Sequence, residues 1–329
     1  MNTENVIIIG AGPCGLAAGI ALQRQGYDPL LIEKKNVVHA ISHYPLHQTF
    51  FSSSEKLEIG GYPFPSTERK PKRHEALVYY RQVAAKSGLR IHSYEQVESV
   101  EKESGYFAVE TKPWNQPKTS YHAKKIVVAT GYFDHPNIMD IPGEDYPHVF
   151  HYFRESHPYF QKKVTVIGGK NSAVDTALAL ESAGALVTVL YRGSEFSSAV
   201  KPWILPDFYS LVRHKKVDMV YEAEVQEITP THVRYEKNGQ SCSVASDFVF
   251  AMTGYHPDHS FLKNMGVEVE TDTGRPVHDP MTMETNEPGI YIAGVLAAGN
   301  DANEIFIENG RHHGNRIASS IRKNSCTDS

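Results

Sequence analysis

Cysteine is scarce in this sequence: its 329 residues include three, Cys14, Cys242 and Cys326. Three thiols make no disulfide framework, and none stands in a CxxC or at a Cys/His spacing that suits zinc. Such usage fits a reducing compartment. A dominant charge is missing as well, since 33 Lys and Arg oppose 38 Asp and Glu for a formal −5. Without a basic field, nucleic acid and an anionic membrane surface are excluded as main partners. No apolar run approaches the roughly 20 residues of a membrane-spanning helix. The start, Met1-Asn2-Thr3-Glu4-Asn5, is polar and acidic and runs directly into a strand, so a cytoplasmic protein is expected rather than an exported one. What is present, 40% apolar and 22% charged residues, is the composition of a globular chain, and its length suits two domains.

One unit is written twice. Val6-Ile7-Ile8-Ile9 is a β-branched run of the kind that forms a buried parallel strand. It leads into Gly10-Ala11-Gly12-Pro13-Cys14-Gly15, an apolar helical stretch from Leu16 to Leu22, a stop at Gly26, and a second strand, Leu30-Leu31-Ile32, that ends in Glu33. The pattern returns as Val164-Thr165-Val166-Ile167, then Gly168-Gly169-Lys170-Asn171-Ser172-Ala173, a helix from Val174 to about Glu181, Gly184, and a strand from Leu186 to Leu190. In such a loop the first glycine permits a tight turn and the second lets the backbone approach a pyrophosphate. The third allows close helix–strand packing, while the helix start offers unpaired N–H groups to the anion. The strand–loop–helix context, with an acid 23 positions after Gly10, predicts a bound dinucleotide.

Aligned, the copies differ in informative ways. Gly10 matches Gly168, Gly12 matches Lys170, Cys14 matches Ser172 and Gly15 matches Ala173. Glu33, with Lys34 beside it, falls opposite Tyr191-Arg192. A carboxylate accepts hydrogen bonds from a free ribose 2′-hydroxyl, whereas arginine suits a 2′-phosphate. The first loop is therefore expected to hold a dinucleotide with an unmodified adenosine ribose, and the second NADPH. Lys170 replaces the middle glycine, so the phosphates lie further from this backbone or pair with the ammonium. Lys201 is a candidate second cation for the 2′-phosphate, or an exposed lysine on a connection.

Further segments close the units. Two strands end alike, at Thr130-Gly131-Tyr132 and at Thr253-Gly254-Tyr255, and Gly289-Ile290-Tyr291-Ile292-Ala293-Gly294 is a late strand followed by helix-like sequence from about Asn303 to Ser320. This nested order resembles the small two-dinucleotide flavoprotein reductases of the thioredoxin-reductase type. The resemblance implies an α/β fold of two Rossmann-like, three-layer domains: an FAD domain of residues 1–133 and 260–329, and an inserted NADPH domain of residues 134–259. In that family an aspartate that binds the flavin ribityl chain follows the late strand; here Val295 stands there, with Asp301 nearby. The resemblance also places Glu304 and Ile305 at the start of a helix that points at the flavin. The family's CxxC is absent, so thioredoxin reduction is not expected.

Over nearly its whole length the chain is similar to the bacillithiol-disulfide reductase family. The two loops carry this resemblance, together with Val200-Lys201-Pro202-Trp203-Ile204-Leu205-Pro206-Asp207 and Ile305-Phe306-Ile307-Glu308-Asn309-Gly310-Arg311. It implies an FAD enzyme that oxidises NADPH and reduces a low-molecular-weight thiol disulfide, with a homodimer or homotetramer as the usual assembly. It also singles out Cys14 as the catalytic thiol. As a residue Cys14 has two readings, a nucleophile at a helix start or the small side chain lining the pyrophosphate slot as Ser172 does. Gln48-Thr49-Phe50-Phe51-Ser52-Ser53-Ser54 is the candidate flavin wall, and Trp203 and Tyr209 are candidates for that wall or a subunit contact. His39, His43 and His47 recur every four residues, but Pro45 breaks a helix through them, so no metal is expected. His312-His313 reads as a surface pair. Two other activities share this layout, a flavin monooxygenase, echoed in Tyr146-Pro147-His148-Val149-Phe150-His151-Tyr152, and a ferredoxin-type electron-transfer flavoprotein.

Overall fold

The computed structural model describes residues 2–197, 200–301 and 303–325. Ala302, just before the stretch read as the last helix, and Cys326 lie outside the described residues. The chain divides into two compact units, one of residues 1–42, 48–135 and 255–329 and one of residues 43–47 and 136–254. The crossings thus fall at 135/136 and 254/255, where the sequence reading put 133/134 and 259/260. Nothing in the sequence signals that 43–47 joins the second unit.

In the first unit β1 (Asn2–Ile9) lies in a sheet ordered β3-β2-β1-β6-β5-β4, with β2 (Leu30–Glu33), β3 (Arg90–Ser93), β4 (Glu95–Glu103), β5 (Tyr106–Pro113) and β6 (Thr119–Val128). β1, β2, β3 and β6 run parallel, and β4 and β5 form an antiparallel meander on β6. β6 changes partners along one edge: residues 119–123 register with 107–111 of β5, and 126–128 with β15 (Ile290–Ile292). Val6, Ile7, Ile8 and Ile9 are all buried, as a strand covered on both faces requires.

Helix α1 (Pro13–Gln23) follows β1, while α2 (His39–Ser42), α3 (Ser54–Leu57) and α4 (Arg73–Ser87) occupy the connection from β2 to β3. The last third adds α7 (His259–Asn264), α8 (Ile307–Gly310) and α9 (His313–Ser325). Every residue of α1 from Gly15 to Leu22 is buried. The expected single helix from Asn303 to Ser320 is instead two pieces: it starts late, where Asn309 Oδ1 accepts the Phe306 N–H (2.7 Å) at the head of α8, and it is interrupted at Arg311-His312 before α9. α9 packs on α1 with almost nothing between them: a Cβ at Gly314 would stand 2.5 Å from the Ala18 Cα.

In the second unit β7 (Val149–Phe150), β8 (Lys163–Ile167), β9 (Leu186–Tyr191), β10 (Val217–Tyr221) and β14 (Phe248–Ala251) form a parallel sheet ordered β10-β9-β8-β14-β7. Helix α5 (Asn171–Ser182) joins β8 to β9, and α6 (Leu205–Arg213) lies between β9 and β10. A second, antiparallel sheet of β11 (Glu224–Ile228), β12 (His232–Lys237) and β13 (Gln240–Ala245) shares a core with the first, where Ile167, Leu190 and Val249 meet Ala223, Ile228 and Val233. Both units are doubly wound α/β folds. In each, a glycine loop leaves the strand on whose two sides the chain winds in opposite senses, the place where such sheets open a crevice for ligands.

The α1–α9 contact gives the first test. Gly314→Val forces a branched side chain against the α1 backbone, and overpacking of this kind typically costs about 1–3 kcal/mol. A fall of several degrees in melting temperature is expected by calorimetry, and an unchanged melt would show that the helices do not approach so closely.

Candidate nucleotide-binding sites

The loop after β1 is held by contacts that tolerate no side chain. Gly10 has φ +106°, and a Cβ on it would lie 2.6 Å from the Ala129 carbonyl oxygen; one on Gly15 would lie 2.1 Å from the Gly10 carbonyl oxygen. Gly12 behaves differently, because a Cβ there would meet nothing within 4 Å. The space above Gly12 is open. The α1 start carries no side-chain cap and no acid in its first turn. An open backbone at an uncapped helix N-terminus is what a pyrophosphate requires.

Glu33 ends β2 beside this loop. Its Oε2 accepts the Ala11 N–H (2.8 Å) and its Oε1 the Lys35 N–H (2.9 Å). Burial raises the carboxyl above its ordinary range, against the lowering effect of those two N–H groups. Lys34 is directed elsewhere, onto Asp134 at 2.8 Å. Thr130 is exposed at the end of β6, next to Gly131 at φ +71°.

Further along, the structure gathers residues from distant parts of the chain. Gly294 (φ +78°) and Gly310 enclose Cys14: a Cβ on either would lie 3.0 Å from its Sγ. Cys14 keeps part of its surface accessible, yet burial pushes its thiol up to about 12. Ser52, from the candidate flavin wall, donates to Glu308 Oε1 (2.8 Å), so that wall meets α8. Gln48 is half-buried, and its carbonyl accepts the Arg73 N–H (2.8 Å). Val295 is half-exposed in the turn Gly294–Ala298. Asp301 is exposed and accepts the Asn303 N–H at 2.9 Å. Glu304 pairs with Arg275, and Ile305 packs its Cγ2 toward Gly310.

Three contributors escaped sequence reasoning. Arg311 donates to the Glu55 and Glu58 carbonyls and ties α8 to α3. Gly310 is one wall around Cys14. His313, read as a surface residue, is 6% exposed, and its Nδ1 accepts the Gly294 N–H at 3.2 Å. Burial, reinforced by Arg316, His278 and His312, lowers it to about 4. A signal was available, because His313 precedes the buried Ile317 and Ile321 at intervals of four.

In the second unit Gly168 (φ +140°) repeats the constraint of Gly10, with a Cβ 2.5 Å from the Met252 carbonyl oxygen. Lys170 is the exposed N-cap residue of α5, whose start again has no side-chain cap and no first-turn acid. Asn171 is not free to meet a ligand with its Oδ1 alone, since that atom accepts the Lys201 N–H at 2.8 Å. The same bond brings Lys201 to the loop. Ser172 is exposed, Ala173 is buried under Gly168, and Arg192 is exposed directly after Tyr191. Trp203 is 52% exposed, and Tyr209 is 45% exposed with its ring edge-on to Phe196. His43 packs edge-on against Tyr152. Among the described residues no group of three or more His, Cys, Asp or Glu side chains is arranged to hold a metal ion, and no helix is long and apolar enough to cross a membrane.

The family model for pyridine nucleotide-disulphide oxidoreductases matches residues 7–294, spanning both glycine loops. The chain belongs to this family. Members of this pyridine nucleotide-disulphide oxidoreductase family use FAD and NADPH. Within it, the chain is 55% identical over 325 residues to Bacilliredoxin reductase Bdr of Bacillus subtilis, covering 98% of this chain and 99% of that protein. Two solved structures are similar throughout: the bacillithiol disulfide reductase Bdr of Bacillus cereus and that of Staphylococcus aureus. The first has 56% identity and a TM-score of 0.97, covering 98% of this chain and 100% of the other. The second has 51% identity and a TM-score of 0.94, covering 98% and 99%. The chain is therefore a flavoprotein disulfide reductase driven by NADPH.

Two measurements probe this site. With the thiol at about 12, Cys14 stays protonated at pH 8, and only a thiolate alkylates readily. Mass spectrometry after iodoacetamide treatment of the FAD-loaded protein should find Cys242 labelled well before Cys14; equal labelling would refute the enclosure. His313 gives the second. A histidine held below its ordinary 6.5 stabilises the fold above that pH, and the contribution is lost as pH falls through 6.5 toward about 4. Melting temperature should therefore drop more steeply across that window in the wild type than in His313→Asn, whose Oδ1 takes the place of Nδ1 as acceptor for the Gly294 N–H. Parallel curves would contradict the assignment.

Proposed function

We propose that this chain reduces the disulfide of a low-molecular-weight thiol, bacillithiol disulfide being the substrate named for its B. cereus and S. aureus relatives, at the expense of NADPH. The observation that carries the reading is the pairing of two unlike loops: one with a buried carboxylate at the end of its second strand, one with Tyr191-Arg192 in that place. FAD belongs in the first unit and NADPH in the second. FAD, when bound, supplies the two-electron chemistry that links a nicotinamide to a disulfide.

This chain's own residues bind, orient and tune. Gly12, Pro13 and the uncapped start of α1 hold the pyrophosphate, and Glu33 offers its remaining lone pairs to a ribose hydroxyl. Thr130, Gly131, Gly294, Val295 and Ile305 border the rest of the cradle, with Ser52 and Glu308 locked together beside it. In the second unit Gly168, the α5 start and Lys170 take a pyrophosphate, and Arg192, with Lys201 near the loop, takes a 2′-phosphate. We read Cys14, enclosed by Gly294 and Gly310, as a wall of the first cradle rather than as the thiol that attacks the substrate disulfide. The protein works in the cytoplasm as a homodimer or homotetramer; few cysteines support the compartment, and the family resemblance supports the assembly.

Anaerobic reduction with NADPH, followed by bacillithiol disulfide, thioredoxin disulfide and oxidised ferredoxin in separate runs, tests this directly. The expected result is fastest reoxidation by bacillithiol disulfide, and fastest reoxidation by ferredoxin would replace the reading with an electron-transfer role. Cys14→Ala should keep bound FAD and turnover of the disulfide; loss of turnover with intact NADPH oxidation to the flavin would make the thiol catalytic.

A further inference from the structure

Set side by side, the two loops differ at a second level. In the first unit the residue that ends the second strand reaches back to the loop: Glu33 Oε2 accepts the N–H of Ala11. Tyr191 is the counterpart of Glu33, and Gly169 the counterpart of Ala11. A Cβ on Gly169 would lie 2.4–2.5 Å from three carbons of the Tyr191 ring, Cγ, Cδ2 and Cε2. On its other side, a Cβ on Gly193 would lie 2.6 Å from Cε1 and 3.0 Å from the phenolic oxygen. The ring is thus seated between two glycines. The edge that carries Cε1, Cζ and the phenolic oxygen lies against Gly193, and an apolar edge covers the loop residue that a carboxylate reaches in the first unit. The backbone around the ring is fixed, because the Tyr191 carbonyl accepts the Ala223 N–H (3.0 Å) and the Gly193 carbonyl the Glu222 N–H (3.0 Å).

From this we infer that Tyr191 is a specificity-determining residue. Its ring removes the acceptor that an unphosphorylated ribose needs, while Arg192 attracts the phosphorylated one. Discrimination then comes from refusal as well as from attraction. A free 2′-hydroxyl brought to this loop loses its water partner and finds a hydrocarbon edge, which costs binding without affecting the nicotinamide. Gly169 and Gly193 are glycines because the ring occupies the space a side chain would fill. The inference rests on the proposed NADPH role of the second unit and adds the selecting device within it.

The test grafts the first unit's own solution onto the second. In Tyr191→Glu the ratio of kcat/KM for NADPH to that for NADH should fall by about tenfold to a hundredfold, the scale of one hydrogen bond to a charged group. The change should lie in KM, with kcat and FAD content kept. Gly169→Ala is the second variant, because its methyl drives the ring off the loop without adding an acceptor. A smaller loss of selectivity is expected there, and the Gly169→Ala/Tyr191→Ala double variant should match Tyr191→Ala alone. Folded Tyr191→Glu and Gly169→Ala proteins that both keep the wild-type ratio would overturn the role of Tyr191 while leaving the NADPH reading intact. A wild type that shows no preference for NADPH would overturn both.

Discussion

Backbone packed directly on backbone is the constraint on which this molecule depends. At Gly15 a side chain would intrude to 2.1 Å of the Gly10 carbonyl oxygen, and at Gly10 and Gly168 to 2.6 and 2.5 Å of the carbonyl oxygens just past the neighbouring strands β6 and β14. Because helix and strand meet without side chains between them, the α1 start sits low over the end of β1, and its N–H groups face the crevice rather than a neighbouring residue. The positions of the Glu33 carboxylate, of the exposed Thr130 and of the Cys14 thiol all follow from that seat. The second unit applies the same geometry to a different outcome by altering the residues around the loop and keeping the loop itself.

On the proposed reading, those alterations fit one fold to two nucleotides. The first loop is completed by a buried acid that its neighbours hold with two N–H groups; the second is completed by an aromatic ring, an exposed arginine and a lysine at the helix cap. Neither difference touches the sheet, whose parallel core is built in both units from β-branched and aliphatic residues. Function here resides in a few side chains placed at the ends of strands, which is where a doubly wound sheet leaves room for them.

Much of this was legible from the residues. The strand–loop–helix units are encoded locally, by β-branched runs that read as buried strands and by glycines whose spacing has a mechanical reason, so their order and positions could be read without coordinates. The role of Glu33 beside its loop was open to the same reasoning. What could not be read was long-range. The enclosure of Cys14 involves residues 294 and 310, nearly the whole chain away, and its effect on the thiol comes from burial, which a helix-start argument alone puts in the opposite direction. His313 looked like one of a surface pair because its neighbour His312 is polar too, whereas the spacing to Ile317 and Ile321 places it on the buried face. In the alignment of the two loops Tyr191 is only the residue opposite Glu33; that its ring takes up the vacated space depends on two glycines, Gly169 and Gly193, whose purpose is invisible until the ring is in view.

The close approach of α9 to α1 has a bearing on how the protein is made. Helix α1 is completed by α9 and β6 by β15, and both of those partners are synthesised after residues 136–254. Residues 136–254, by contrast, contain their own sheets and core in one uninterrupted stretch apart from five residues. During synthesis that inserted portion can reach its native form while the surrounding one still waits for the segment that starts at Tyr255. The first unit is therefore completed after the inserted one, because its sheet and its first helix need segments that lie beyond residue 254.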